Sequence, residues 1–151
     1  MRALSLLIAA VLLLLPIAGA DEVEGGTVGL NLGLVAPGVW DAFDFATSGG
    51  AIVITLDWEE PGTFPFADYD LRLYRPGSLA DGDLSDNELM AESSQHPYAH
   101  AAERIDASIA PGTYVVAVAP FQAQMETYTL TANPGTFGDM TTLVGFQYFE
   151  S

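Results

Sequence analysis

Short stretches of alternating apolar and polar residues recur along this chain from about residue 27 onward, and they decide more about its fold than any other feature. Clusters of Gly, Pro, Asp and Ser separate them, and none keeps a helical period. A period of two places one face of a strand in the core and the other in solvent. Such strands between frequent turns predict an all-β sandwich or barrel with antiparallel sheets.

The alternation predicts eight or nine strands. The clearest covers residues 51–58, where Ile52, Ile54 and Leu56 share one face with a tryptophan. An acidic loop is predicted at 76–87, and a helical turn fits only within 95–103. The remaining strands are predicted at 27–35, 40–47, 70–75, 88–93, 104–109, 113–119, 127–132 and a closing strand at 143–149.

The first twenty residues have the pattern of a secretory signal peptide. Arg2 precedes an apolar run, Pro16 interrupts it, and the small residues Ala18-Gly19-Ala20 follow. We expect cleavage after Ala20, which leaves a single domain at 21–151. The alternative is an uncleaved anchor, because the apolar run approaches the roughly 18 residues that span a bilayer. Cleavage predicts a protein of the extracellular space or cell envelope with no remaining membrane contact.

Charge restricts the partners. The chain carries 20 acidic residues against 4 arginines and has no lysine, so its formal net charge is −16. This charge argues against nucleic acid and anionic membrane surfaces as partners, because both are bound through clustered basic residues. The acids indicate either a saline habitat, where they keep the surface hydrated, or a divalent-cation site. The lack of lysine favours the first explanation, because it is a bias of the whole surface.

Four carboxylates are candidate calcium ligands. Asp68 and Asp70 lie two residues apart at the entrance of a predicted strand and project to the same side. Calcium binds several oxygen ligands at once, and Asp41 or Glu24 could supply more. The alternative is that Asp68 and Asp70 cap a turn by accepting hydrogen bonds from loop amides.

Two weaker metal patterns are present. Residues 81–92 partly match a calcium-loop template, but Asp86 stands where the template needs glycine. His96 and His100 are spaced to share a helix face with Glu103, although Pro97 disfavours a helix there. The alternatives are a solvated acidic loop and an ordinary surface loop.

Catalysis finds no support in the sequence, and we expect a protein that is not an enzyme. The chain has no G-x-S-x-G elbow and no lysine for Schiff-base chemistry. A small secreted hydrolase remains a remote alternative, because a catalytic triad is defined by geometry and not by sequence order. Trp40, Tyr69 and Tyr74 are candidate ligand contacts, since Trp40 and Tyr74 lie opposite the core face of their strands and Tyr69 lies in a predicted loop.

A series of motifs in a fixed order resembles the bacterial and archaeal pre-peptidase C-terminal (PPC) domain. The similarity covers about residues 25–132, and its parts are weak alone but specific in sum. They are D-A-F-D-F at 41–45, the apolar strand at 51–56, D-Y-D-L-R-L-Y at 68–74, E-R-I at 103–105, P-G-T-Y-V-V at 111–116 and Y-T-L at 128–130.

This resemblance implies a jelly-roll-like β-sandwich that accompanies exported enzymes and is not itself catalytic. Some members of the family bind collagen or polysaccharide, and some bind calcium near the N-terminal segment. We expect a free-standing copy of the domain with no attached peptidase, and residues 21–26 lack the E-P-N-type lead-in. We expect a secreted accessory or binding module that contacts an extracellular protein, glycan or surface. The alternative is a structural envelope or matrix component whose fold is completed by calcium or high salt.

Overall fold

The structure, a computed structural model, describes residues 20–26, 28–30, 38–59, 67–94, 102–124 and 126–146. These residues form ten strands and one turn of 3-10 helix at Asp86–Glu88. The strands are β1 (Asp21–Gly25), β2 (Val28–Leu30), β3 (Gly38–Thr47), β4 (Gly50–Trp58), β5 (Asp68–Tyr74), β6 (Leu89–Ser93), β7 (Glu103–Ile109), β8 (Gly112–Gln124), β9 (Tyr128–Asn133) and β10 (Thr136–Phe146).

The strands form two antiparallel sheets. The smaller sheet has the order β1-β9-β4-β7, and the larger has the order β10-β3-β8-β5-β6, with β2 paired to the far end of β8. From β3 onward, most consecutive strands lie in opposite sheets, and only β5 and β6 pair directly with each other. The chain therefore crosses repeatedly from one sheet to the other, which makes most of its contacts distant in sequence.

The main core lies between the two sheets. It is filled by the inward residues of each strand, among them Phe45, Ile54, Leu71, Val116 and Leu130, all at most 1% exposed. The alternation predicted these positions, because every second residue of a strand points to the same face. The predicted antiparallel β-sandwich is confirmed.

A second buried cluster covers the outer face of the larger sheet. Its base is formed by Trp40, by Tyr74 at the end of β5 and by three alanines of β3 and β8. Leu84, which lies in the connection between β5 and β6, packs on this base. We call this connection, residues 76–88, the covering segment. The alternation alone predicts that this sheet face is exposed to solvent. The covering segment buries it instead.

Several element boundaries differ from the prediction, among them the start of β5 at Asp68 and not at residue 70. Strand β1 was not predicted, because Val23 is its one large apolar residue among acids and glycine. Strand β10 begins at Thr136 and not at residue 143, because Gly138 and Asp139 interrupt the apolar pattern where the register with β3 shifts. Strand β8 continues to Gln124. Residues 31–35, 95–101 and 147–149, on which parts of the predicted strands and helical turn fall, lie outside the described residues, as do His96 and His100.

Candidate functional site

The exposure predicted for the three candidate aromatic residues is wrong. Trp40, Tyr69 and Tyr74 are 3%, 0% and 1% exposed, so they do not offer a platform to a ligand. Tyr69 belongs to β5 and not to a loop, and its ring packs edge-on against Trp58 and Tyr128 in the main core. Trp40 and Tyr74 do lie on the outer face, as the alternation predicts, but the covering segment buries that face.

The four candidate calcium ligands lie in three separate parts of the sandwich. Asp41 points into the space between the sheets, where it contacts Tyr128. Asp68 and Asp70 flank the core residue Tyr69 on β5, so they point away from that space, and both are buried. Glu24 is exposed on the smaller sheet. The structure therefore does not bring Asp68 and Asp70 together with Asp41 or with Glu24. In the described part of the chain, no group of three acids or histidines could hold a metal ion.

Asp41 and Tyr128 form a buried link between the sheets. The Tyr128 hydroxyl donates a hydrogen bond to Asp41 Oδ2 over 2.6 Å. Burial raises the pKa of the Asp41 carboxyl above its ordinary value, although the hydroxyls of Tyr128 and Thr142 favour the charged form. Burial and the neighbouring carboxylate also raise the pKa of Tyr128, so its hydroxyl remains a donor at physiological pH. Gly25 lies against this hydroxyl, where a larger residue would displace it.

Replacing Asp41 by asparagine should change how stability depends on pH. The folded chain holds the Asp41 proton more tightly than the unfolded chain does. Its contribution to stability is therefore complete below pH 3.8 and is lost as pH rises through the raised pKa. Because the amide oxygen of the substituted side chain would still accept the Tyr128 hydroxyl, we expect D41N to become more stable relative to wild type between pH 4 and pH 7, as measured by urea unfolding.

The matched control for this prediction is D44N. Asp44 is exposed on the same strand, so D44N reports what the loss of one negative charge does to an acidic protein. A stability difference between wild type and D41N that stays constant over this pH range would contradict the raised pKa of Asp41.

Arg72 organises the polar side of the covered face. Its guanidinium donates to Glu92 Oε1 at 2.7 Å and to the Tyr74 hydroxyl at 3.4 Å, and it lies 5.0 Å from the centre of the Trp40 ring. A guanidinium over an indole face is a favourable cation–π contact. Arg72 is only 8% exposed. The arrangement is a structural support beneath the covering segment.

Two acids of the covering segment accept hydrogen bonds from backbone amides of the segment itself. Asp81 Oδ1 accepts a hydrogen bond from the Asp83 amide, and Asp83 Oδ1 accepts one from the Leu84 amide. Ser85 Oγ accepts a bond from the Asn87 amide. Glu92, the last position of the calcium-loop template, binds Arg72. Asp81, Asp83 and Glu92, three of the positions that match the calcium-loop template, therefore have hydrogen-bond partners within the protein.

The outer face of the smaller sheet has no comparable apolar covering cluster among the described residues. Successive strands place polar side chains side by side on it: Glu24 is opposite Thr129, which is opposite Asp57, and Thr131 is opposite Thr55. The carboxylates are exposed and the threonines are partly buried. We call this surface the open face; it comprises Glu22, Glu24, Val53, Thr55, Asp57, Arg104, Asp106, Thr129 and Thr131.

A cleft lies at one end of the open face, where β1 and β4 end and β9 begins. Its volume is about 200 Å³, and Glu24, Asp57 and Glu59 line it together with Trp58, Thr127 and Thr129. The Glu59 amide donates to the Thr127 carbonyl at 3.0 Å, which holds the two walls together. The cleft therefore combines carboxylates and hydroxyls at one end of the smaller sheet.

Negative charge dominates the open face. Arg104 is bound to Asp106 by two hydrogen bonds of 2.7 and 2.8 Å. This pairing raises the pKa of Arg104 and lowers that of Asp106. Arg104 therefore neutralises the charge of its own neighbour Asp106. Glu22, Glu24 and Asp57 add negative charge to the face, and Asp57 Oδ1 also accepts a hydrogen bond from the Trp58 amide. The sequence could have indicated these positions, because they alternate with core residues, but β1 was not predicted as a strand.

Comparison with known proteins adds no family to this description. No protein-family model matches the chain, and a search of curated proteins finds no match either. The resemblance to the PPC domain stays a prediction. Within the described ranges, no helix has the length and apolar character needed to cross a membrane.

Proposed function

We propose that this chain is a secreted, non-catalytic binding module that contacts an extracellular protein or glycan through the open face. The observation that supports this most is the difference between the two sheets. The outer face of the larger sheet is buried under the covering segment, whereas the smaller sheet presents exposed polar side chains and a cleft.

The side chains of the open face suit recognition by hydrogen bonds and charge. Thr129 and Thr131 can donate and accept hydrogen bonds, and the carboxylates of Glu24 and Asp57 accept them. Sugar hydroxyls, or basic and polar side chains of a protein, provide the complementary groups. Polar interfaces of this kind are commonly bridged by ordered water.

Charge-neutral variants of the open face test this proposal. The secreted protein would be immobilised and screened on a glycan array and against purified extracellular proteins. For the ligand so found, we expect the double variant E24Q/D57N to lose at least about tenfold in affinity, or about 1.4 kcal/mol. The Asp57 backbone contact survives this change, because asparagine can still accept the Trp58 amide.

The matched control is D81N/D83N in the covering segment. It removes the same charge, and both asparagines can still accept the amide bonds of the loop. We expect its affinity to stay within about twofold of wild type. An equal loss in both double variants would mean that the ligand responds to overall charge and would exclude the open face as its site.

The alternative function, a structural component completed by calcium or salt, is tested by thermal unfolding in calcium and in sodium. The described surface carries many exposed acids, so screening by salt should raise the melting temperature. Calcium at low millimolar concentration should add no more than sodium at matched ionic strength, because the four candidate carboxylates do not converge. A rise with calcium alone, reversed by a chelator, would contradict this expectation and support a specific site, with Asp68 and Asp70 the first residues to test.

A further inference from the structure

The first strand begins at the residue that follows the predicted cleavage site. Strand β1 starts at Asp21, and Ala20 is exposed. Asp21 pairs with Ala132 of β9, so the backbone is part of the smaller sheet from its first residue. The three residues before it, Ala18-Gly19-Ala20, are small.

Asp21 also connects the two sheets. Its Oδ2 accepts a hydrogen bond of 2.7 Å from the backbone amide of Phe137 in β10. The ring of Phe137 lies in the main core, 5.9 Å from Phe43 and 5.4 Å from Phe45. Strands β1 and β10 are edges of different sheets, so this bond closes one side of the sandwich. The bond also gives the Phe137 amide, which lies on a strand edge, a hydrogen-bond acceptor. Because this acceptor is a charged carboxylate, the bond is stronger than one to a neutral acceptor.

We propose that the chain is cut between Ala20 and Asp21, and that the new N-terminal residue is a latch that holds β1 against β10. The proposal rests on the secretion inferred above. A signal peptidase of the exporting cell would hydrolyse the Ala20–Asp21 peptide bond. The hydroxyl of one water joins the Ala20 carbonyl carbon as the C–N bond breaks, and the other proton of that water goes to the Asp21 nitrogen. The new carboxylic acid then gives up its proton and the new amine takes one up, which leaves a carboxylate and an α-ammonium group.

The position of this cleavage site matters for the fold. A cut one residue later removes the latch carboxylate and frees the Phe137 amide. It also shortens a strand that pairs with β9 alone and has only Val23 packed on the core. A cut after Ala20 retains every residue of β1 and leaves an exposed terminus.

Mass analysis of the exported protein tests the processing site. The full chain would be expressed in a secreting bacterial host, and the intact mass of the released protein measured. A product that begins at Asp21 supports the proposal. A released product that begins elsewhere overturns the cleavage site while secretion stands, and a chain that is never exported contradicts both the processing and the proposed function.

Thermal unfolding tests the latch separately. The substitutions D21A and D21N, and the control E22A, would be introduced into the same full chain. Glu22 is an exposed acid on the next position of β1, facing the opposite way. We expect D21A to melt about 5 °C lower than wild type, D21N to fall in between, and E22A to stay within about 1 °C.

Equal melting temperatures for D21A and E22A would overturn the latch. This comparison can be made on the processed or the unprocessed chain, because the contact between Asp21 and Phe137 does not depend on export. Failure of the latch and failure of secretion are thereby distinguished.

Discussion

Replacing Gly135 by alanine should cost about 4 kcal/mol of unfolding free energy and is expected to leave little folded protein at 37 °C. Gly135 has φ near +145°, a conformation that L-residues rarely adopt and that costs about 1 to 3 kcal/mol. A Cβ atom there would also overlap the ring of Phe45, a fully buried core residue. Overpacking of this kind costs about 1 to 3 kcal/mol more. Urea unfolding monitored by tryptophan fluorescence would measure the loss.

The matched control is G77A in the covering segment. Gly77 also has a positive φ, near +83°, but a Cβ atom there would meet no atom within 4 Å. The variant should lose only the unfolding free energy that the left-handed backbone conformation costs a residue with a Cβ atom, about 1 to 2 kcal/mol. If G135A and G77A lose the same free energy, Phe45 does not pack against Gly135 in solution.

Removing the Arg72 side chain should have the next largest effect, about 3 kcal/mol for R72A. The variant loses the ion pair with Glu92, the bond to Tyr74 and the cation–π contact with Trp40. Removing one partner of a fully buried pair costs about 3 to 5 kcal/mol. The value here is at the low end, because the Glu92 side chain is 32% exposed and can be rehydrated. Chemical denaturation would measure it, and R72M would separate the charge from the packing of the methylene groups.

Arg104 provides the control for this prediction. It also forms an ion pair on a strand, with Asp106, but both side chains are more than half exposed. Exposed ion pairs contribute little, so we expect R104A to leave the unfolding midpoint nearly unchanged. Similar midpoints for R72A and R104A would show that Arg72 is solvated and that the covering segment does not seal the outer face.

Arg72 illustrates where prediction from local pattern ends. Residues 70–75 alternate, and this pattern by itself predicts that Leu71 and Leu73 face inward and that Arg72 and Tyr74 face solvent. The first half is confirmed, because Leu71 and Leu73 are fully buried in the main core. The second half is wrong, because β5 is buried along its whole length. Alternation reports which residues share a face, but it cannot report what is packed on that face from elsewhere in the chain.

The candidate sites show the same division. The sequence makes Asp41 and Asp70 candidate ligands of one calcium ion, because calcium binds several carboxylate oxygens at once. In the fold, Asp41 meets Tyr128 between the sheets and Asp70 points out of the opposite side of the larger sheet. The side of a sheet on which a residue lies depends on the parity of its position within a strand, and parity can be read only once the boundaries of the strand are known.

The β class of this protein, its main core and its overall acidity follow from the amino-acid sequence, because alternation, turn residues and charge are local properties. Tertiary structure alone decided the burial of Trp40 and Tyr74 under the covering segment, the contact between Asp41 and Tyr128, and the closure of the sandwich by Asp21 on Phe137. Each of these contacts joins residues of different strands or of a strand and a distant loop. They form because the chain crosses between two sheets. The order of the strands in those sheets depends on the total free energy of packing and not on any one segment.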